Sequence, residues 1–423
     1  MENGIDLQQM GKRARAAARA LAKLPTSAKN DALLSVADAL NSRQDEILVA
    51  NQKDIDAGRG DGLDDAILGR LVIDAKKLDG MADDVRKIVA LSDPTSESYD
   101  STTLLNGLSV SKRRVPLGVI GVIYESRPNV TIDISALCLK SGNAVILRGG
   151  KEAINSNTVL AQIVRDAITG VGVPQDAVQF VESTDRAIVG EMLGMTEYID
   201  LIIPRGGAEL VRRVGRDAKM PAITGGIGVC HTFVDKTADV DMAVDIAYDA
   251  KTTSPYVCNA LDTILVHSRA APKFLPRVAA KLAAADVELH CDKRALSLIG
   301  KHKGMAMSAA TDEDWGQEFL SLTAAIKVVD SLDEAIDHIE RYGSGHTDVI
   351  VTEDYSSSQR FLNEVDSSVV MVNASSRFND GGQLGLGAEV AISTNKTHAR
   401  GPMGMKELTS YKWIVMGSGH VRT

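Results

Sequence analysis

The sequence predicts an α/β protein with two doubly wound, mostly parallel sheets and a small element for self-association. Two observations carry this. From residue 115 onward, apolar strand-like runs alternate with helical patterns. Those runs are continuously apolar, as in strands buried on both faces of a sheet. In addition, 423 residues exceed what one core ordinarily encloses and suit two domains plus an appendage.

Residues 5–92 read as helices. In TSAKNDALLSVADALNSRQDEIL, Leu33, Val36, Ala37 and Leu40 recur at the spacing of one buried helical face. Thr26 or Ser27, just after Pro25, is placed to cap this helix. KKLDGMADDVRKIVAL closes the helical part, and polar residues 93–103 are expected to form a loop. From residue 115, VPLGVIGVIYE reads as one strand and NAVILRGG as the next. The helix EAINSNTVLAQIVRDAITGVG, the strand AVQFV, the helix DRAIVGEMLG, the strand YIDLIIPRGG and the helix AELVRRVGRDA follow. A second alternating region begins near residue 230. It runs through HTFVD, DMAVDIAYDAKTT, LDTILVH, APKFLPRVAAKLAAA, VELHC, AAIKVVD, SLDEAIDHIERYG and DVIVTED. SSVVMVNAS starts a return segment, and LTSYKWIVMG ends the chain as an exposed strand in want of a partner.

Composition narrows the function. Hydrophobic residues make up 44% and charged residues 24%, ordinary for a globular protein. The net charge of −9 argues against a nucleic-acid binder, which needs basic clusters to neutralise phosphates. No run of 18 apolar residues appears and the N-terminal stretch has no signal-type apolar core, so neither a membrane span nor export is expected. Four widely spaced cysteines, with no CxxC pair and no zinc-type spacing, fit reduced thiols in the cytoplasm and no metal site.

Of those cysteines, Cys138 and Cys230 lie inside apolar runs and read as core, and Cys291 ends a short strand. Cys258, in SPYVCNA, falls on the loop between a helix and a strand, where reactive groups are often held. A packed core thiol remains the alternative, since cysteine is among the most buried residue types.

Glycine pairs stand at strand ends: Gly149–Gly150, Gly206–Gly207 and Gly225–Gly226. In open α/β sheets the ligand crevice lies at the carboxyl ends of strands, although tight turns alone also call for glycine. The usual GxGxxG fingerprint is absent. Arg148 and Lys151 follow a strand directly and would suit a 2′-phosphate, favouring NADP over NAD, unless they are solvated surface charge. In SRPNVT, Asn129 offers a side-chain donor where a strand breaks, and ordinary turn chemistry is the alternative.

Taken in order, VPLGVIGVIYESRPN, NAVILRGGKEA, ITGGIGV and SPYVCNA resemble the aldehyde dehydrogenase superfamily. YESRPNVTIDISALCLKSGNAVILRGGKEA and ISTNKTHARGPMGMKELTSYKW more closely resemble the γ-glutamyl phosphate reductase (glutamate-5-semialdehyde dehydrogenase) family, across nearly the whole chain. The resemblance implies an aldehyde dehydrogenase-like fold with two Rossmann-like domains. The expected boundaries are a cofactor-binding domain over 1–228, with a 103–115 oligomerisation hairpin and a 367–400 return segment, a catalytic domain over 229–366, and a C-terminal oligomerisation strand over 401–423.

It also implies roles. Cys258 matches the nucleophile and Asn129 the oxyanion-holding asparagine. Arg148 matches the cofactor cation, and Glu318, in WGQEFL, the carboxylate on the nicotinamide ribose. Lys151 and the glycines Gly206, Gly207, Gly225 and Gly226 join the cofactor set; Arg127, Arg377, His398 and Arg400 are candidates for the substrate anions. Hydrolytic relatives carry a glutamate just before the Gly-Gly; here Thr224 stands there, which fits a reaction without hydrolysis. The implied reaction is NADPH-dependent reduction of glutamate 5-phosphate to the 5-semialdehyde, in proline biosynthesis, through a Cys258 thioester. A related acylating dehydrogenase, using a coenzyme A thioester or another acyl phosphate, is the alternative. The implied partners are this small-molecule substrate, glutamate 5-kinase through channelling, and further copies of the chain.

Overall fold

The computed structural model describes residues 5–225, 227–300 and 305–422. The chain divides into two compact units. One comprises Met1–Thr224, Leu386–Ala391 and Met403–Thr423; the other comprises Gly225–Gly385 and Ile392–Pro402.

The first unit opens with helices Leu7–Leu21, Thr26–Ser42, Gln44–Gly60, Asp65–Leu71 and Ala75–Ala90. Leu33, Val36, Ala37 and Leu40 are all buried on one face of the second of these. Neither Thr26 nor Ser27 caps that helix: Pro25 occupies the cap position, and the Thr26 hydroxyl donates to Asp93 Oδ2 at 2.9 Å. Asp93 also accepts from Lys29 Nζ at 2.9 Å, with both side chains almost sealed from solvent at 2% and 1% exposure. Burial alone would raise the Asp93 carboxyl, but hydrogen bonds from Lys29 and Thr95 outweigh it and hold the group below its ordinary value. Asp93→Ala would leave a buried ammonium without its counter-ion. We expect it to cost about 3–5 kcal/mol in urea unfolding, with the wild-type advantage vanishing as pH falls through the carboxylate range.

The stretch expected as a loop contains a strand. β1 (Ser98–Thr103) pairs antiparallel with β2 (Ser109–Pro116). Its side chains are polar and mostly exposed on both faces, so no apolar alternation marks it. The run after residue 115 is divided at Gly118, whose φ of +129° turns the chain into β3 (Val119–Tyr124). β4 (Ala144–Arg148), β5 (Val178–Phe180) and β6 (Leu201–Arg205) complete a parallel sheet of order β5-β4-β3-β6. The chain runs outward from β3 to β5 and then returns to the other side of β3. A topological switch point therefore lies between β3 and β6, where open α/β sheets bind ligands. SRPNVT is not a simple turn: Pro128 precedes the helix Asn129–Ser141, whose residues are buried almost without a break from Val130 onward.

The second unit holds a seven-stranded parallel sheet. In chain order its strands are β7 (Cys230–Val234), β8 (Leu261–His267), β9 (Glu288–Cys291), β10 (Met307–Ala309), β11 (Thr323–Val329), β12 (Thr347–Val351) and β13 (Val369–Val372). Their spatial order is β10-β9-β11-β8-β7-β12-β13. Ile264, Val266, Phe274, Val278 and Ile326 anchor its main core. β13 adds to the edge of this sheet beside β12, so the return segment expected in the first domain lies in the second unit except for Leu386–Ala391. Sequence order conceals this, because β13 is joined to that sheet by backbone pairing. The short strands β14 (Ala391–Ser393) and β15 (Gly401–Met403) pair with each other where the chain crosses between units.

β16 (Thr409–Met416) pairs antiparallel with β2 along its full length, giving the order β1-β2-β16. The terminal strand thus finds its partner within the chain; among the described residues no strand pairs with its other edge, and Trp413, Val415 and Met416 are exposed. No helix among the described residues is long and apolar enough to cross a membrane.

Candidate active site

The four thiols differ in setting. Cys138 is fully buried, and burial pushes its thiol far up. Burial likewise pushes Cys291 up to about 12. Cys230 is raised well above its ordinary value, first by burial and then by the carboxylates of Asp262 and Asp348. Cys258 alone is half-buried rather than sealed. It sits on the turn between helix Val240–Thr252 and β8, closed by the Ala260 N–H donating to the Val257 carbonyl at 3.0 Å.

That turn is held from three sides within its own unit. The Cys230 thiol donates to the Cys258 carbonyl at 3.2 Å. The Asn259 amide donates to the carbonyl of Asn379 at 2.9 Å and more weakly to that of Arg377 at 3.4 Å, and Ser376 Oγ donates to the Asn259 carbonyl at 2.6 Å. The third support is Gly228. A Cβ there would stand 1.6 Å from the Cys258 carbonyl oxygen, so the two backbones touch and only glycine fits.

Gly228 also joins Glu318 to the site, donating its N–H to Glu318 Oε1 at 2.9 Å. Burial pushes the Glu318 carboxyl up to about 7; the Gly228 N–H opposes this and Asp262 adds to it. Asp262, pushed up to about 6 by burial and opposed by Lys251, accepts from the N–H groups of Cys230 and Phe319 at 3.2 and 3.0 Å. Buried Lys251 stands 3.9 Å from Asp262, its ammonium lowered by burial. All these groups collect at the amino ends of β7, β8 and β11, the edge opposite to the one the glycine pattern pointed to.

A carboxyl with a raised folded-state value binds its proton more tightly folded than unfolded. Stability therefore falls as pH rises from the ordinary glutamate range toward 7. Glu318→Gln keeps an acceptor for Gly228 and removes the titration. It should flatten part of that decline in urea unfolding midpoints between pH 5 and 8; an unchanged slope would contradict the raised value.

Of the other expected residues in this unit, Arg377 follows the clamp on Asn259, and its Nε is buried without a hydrogen-bond partner. Arg400 is engaged by Asp366, through Nη1 to Oδ1 at 2.8 Å and Nη2 to the carbonyl at 2.7 Å, and Lys396 pairs with the same carboxylate. His398 is exposed, with φ of +74°. Gly225 packs its Cα against the backbone of Ile392–Thr394 and precedes β7. Gly226 lies outside the described residues.

The first unit gathers the remaining expected residues at the carboxyl ends of β3, β4 and β6. Glu125, after β3, accepts from the Gly207 N–H across the switch point at 2.9 Å. A Cβ at Gly206 would stand 2.3 Å from the same carboxylate. Arg148 ends β4, 7% exposed, with Nη2 3.4 Å from the carbonyls of Thr184 and Asp185 and Nε without a partner. Lys151 is turned to solvent and pairs loosely with Asp61 at 3.4 Å. The Arg127 carbonyl accepts from the Val130 N–H at 3.1 Å as the next helix starts. Asn129 heads that helix and donates to Asp133 Oδ2 at 2.9 Å. Loss of solvent pushes Asp133 up to about 6, against the pull of that hydrogen bond.

Sequence reasoning missed Gly228, Asn259 and Ser376, which fix the backbone of the Cys258 turn. The third glycine of GGIG, two residues before Cys230, was the available signal for the first. The other two act through backbone contacts that no spacing reveals.

Comparison with known proteins agrees with this architecture. The model of the aldehyde dehydrogenase family matches residues 3–298. A γ-glutamyl phosphate reductase from Dehalococcoides mccartyi strain CBDB1 is 55% identical over 418 residues, covering 99% of each chain. The crystal structure of a γ-glutamyl phosphate reductase from Thermotoga maritima superposes with a TM-score of 0.95 at 42% identity, covering 99% of this chain and 100% of that one. An acetylating aldehyde dehydrogenase from Geobacillus thermoglucosidasius shares the fold, with a TM-score of 0.69 at 16% identity over 99% of this chain and 97% of its own. The likeness thus runs along the whole length of known enzymes, and the chain belongs to the aldehyde dehydrogenase family of oxidoreductases.

Proposed function

We propose that the chain reduces L-glutamate 5-phosphate to L-glutamate 5-semialdehyde with release of phosphate, using NADPH, in proline biosynthesis. The observation that carries the proposal is Cys258, a half-buried thiol on a turn locked by Gly228 and Asn259, while the other three thiols are sealed. The extent of identity to enzymes named γ-glutamyl phosphate reductase supports the substrate.

The chemistry follows from the substrate. A free carboxylate is too electron-rich to accept hydride, whereas an acyl phosphate carries a good leaving group. The Cys258 thiolate attacks the acyl carbon; a C–S bond forms, the C–O bond to phosphate breaks, and inorganic phosphate leaves. A bound reduced nicotinamide supplies the hydride that the thioester carbon accepts. When the C–S bond then breaks, the sulfur leaves as thiolate and the aldehyde is released. Thr224, in place of a carboxylate base, leaves the thioester unhydrolysed.

The residues present fit a phosphate-bearing dinucleotide: Arg148 keeps a buried unpartnered Nε, and Gly206 clears the switch-point turn of any side chain. Glu318 is the proposed ribose carboxylate. Arg377 is proposed for a substrate anion, ahead of Arg127, His398 and Arg400, because its backbone abuts the cysteine turn; its Nε is unpartnered, as is that of Arg400, but Asp366 engages the other Arg400 nitrogens. Asn129 is proposed to hold the oxyanion; its amide has two N–H donors, and the bond to Asp133 uses one. Asn129→Ala is expected to lower kcat about a hundredfold with little change in KM.

We further propose a cytoplasmic homo-oligomer, built on the edge of β16 away from β2, that receives its labile acyl phosphate from glutamate 5-kinase. Light scattering giving the mass of one chain would contradict the oligomer, and product formation in the coupled pair that hydroxylamine, which captures free acyl phosphate, cuts to the uncoupled rate would contradict channelling. The reaction is tested in reverse, with glutamate semialdehyde, NADP⁺ and phosphate. Reduced cofactor should appear only with phosphate; dependence on coenzyme A instead would point to the acylating alternative.

A further inference from the structure

The cofactor reading above leaves open which groups receive the 2′-phosphate that distinguishes NADPH from NADH, and this inference rests on that reading. Sequence order points to Arg148 and Lys151, the two cations that follow β4. Their surroundings differ sharply. Lys151 faces a small cavity whose lining includes the carboxylates Asp54, Asp61 and Glu152, and it pairs with Asp61. A phosphate there would meet three like charges.

Arg148 has other company. Its guanidinium reaches the carbonyls of Thr184 and Asp185, so it abuts the segment that leads into helix Ala187–Met192. Arg186 is the next residue of that segment, exposed, and pairs with no carboxylate among the described residues. Arg213 approaches the same segment from helix Ala208–Asp217, its Nη2 4.0 Å from where a Cβ at Gly190 would stand. Among the described residues its one carboxylate partner is Asp217, at 4.0 Å, which Arg216 holds more closely at 2.7 Å. Two carboxylates lie near as well: Glu125, which accepts from Gly207, and Glu152, which accepts from Ser126 N and Oγ at 2.6 and 2.8 Å. Burial lowers the Arg148 guanidinium first; Glu152 and Glu125 oppose this, and like-charge repulsion from Arg186 and Arg213 adds to it. Three guanidinium groups thus converge on one short segment, and the most buried has an unpartnered Nε.

We propose that Arg186 and Arg213 join Arg148 to bind the 2′-phosphate, and that Lys151 is outside this site. Planar guanidinium groups suit a phosphate through paired hydrogen bonds, and each charge-assisted pair lost weakens binding by about tenfold or more.

The test is binding of NADPH, NADH, 2′-AMP and 5′-AMP to the full chain and to its Arg186→Gln and Lys151→Gln variants. Arg186→Gln should weaken NADPH and 2′-AMP at least about tenfold and leave NADH and 5′-AMP within about twofold, while Lys151→Gln keeps the wild-type ratios. If Arg186→Gln keeps the wild-type preference, or weakens all four ligands equally, the inference is wrong and the NADPH reading stands. A wild-type chain that binds NADH as tightly as NADPH would overturn both.

Discussion

Cys258→Ser should abolish turnover, by about a thousandfold or more in kcat, while NADPH binding and the unfolding midpoint stay close to wild type. A serine hydroxyl at neutral pH is almost wholly protonated, and no neighbouring base has been assigned to activate it. The half-buried setting of Cys258 tolerates the near-isosteric change. Rescue from elsewhere is not expected, because burial holds the other three thiols protonated. Steady-state assay in the reverse direction checks this, and a variant within about tenfold of wild type would show that the nucleophile lies elsewhere.

Gly228→Ala should be nearly as damaging, although it touches no reacting atom. The added methyl would stand 1.6 Å from the Cys258 oxygen, 2.6 Å from its carbonyl carbon and 3.1 Å from its Cα. Non-bonded carbon and oxygen do not approach so closely, so one backbone has to move by more than 1 Å. The cysteine turn is pinned on its other sides by Cys230, Ser376 and Asn259, and the Gly228 N–H is tied to Glu318. A shift of about 1 Å at a reacting group costs about a hundredfold. With the Glu318 contact disturbed as well, the expected loss in kcat is about a thousandfold, with slower alkylation of Cys258 by iodoacetamide. Wild-type turnover in this variant would mean that the turn has slack the close contact does not admit.

What the sequence revealed and what it hid follow from the same physics. Strands such as Leu261–His267 and Ala144–Arg148 are buried throughout, and their unbroken apolar runs announce parallel sheets. The helix Asn129–Ser141 is buried nearly all round, so no 3.6-residue stripe distinguishes it from a turn followed by core. β1 was hidden for the opposite reason, its polar side chains being mostly exposed. β13 was placed in the wrong unit because its membership depends on pairing with β12. At the candidate site, the loop position of Cys258 was legible from the helix and strand patterns on either side of it. Gly228, Asn259 and Ser376 were not, because they act through backbone contacts between segments distant in sequence. Arg186 and Lys151 show the limit most directly: both are exposed cations, and the carboxylates that line the cavity beside Lys151 come from segments distant in sequence.

The most direct test of the account is intact-protein mass spectrometry after mixing the chain with freshly generated glutamate 5-phosphate in the absence of reductant. A glutamyl adduct should accumulate, map to the peptide carrying Cys258, and discharge when NADPH is added. Turnover without any adduct at that residue would contradict a covalent path through Cys258.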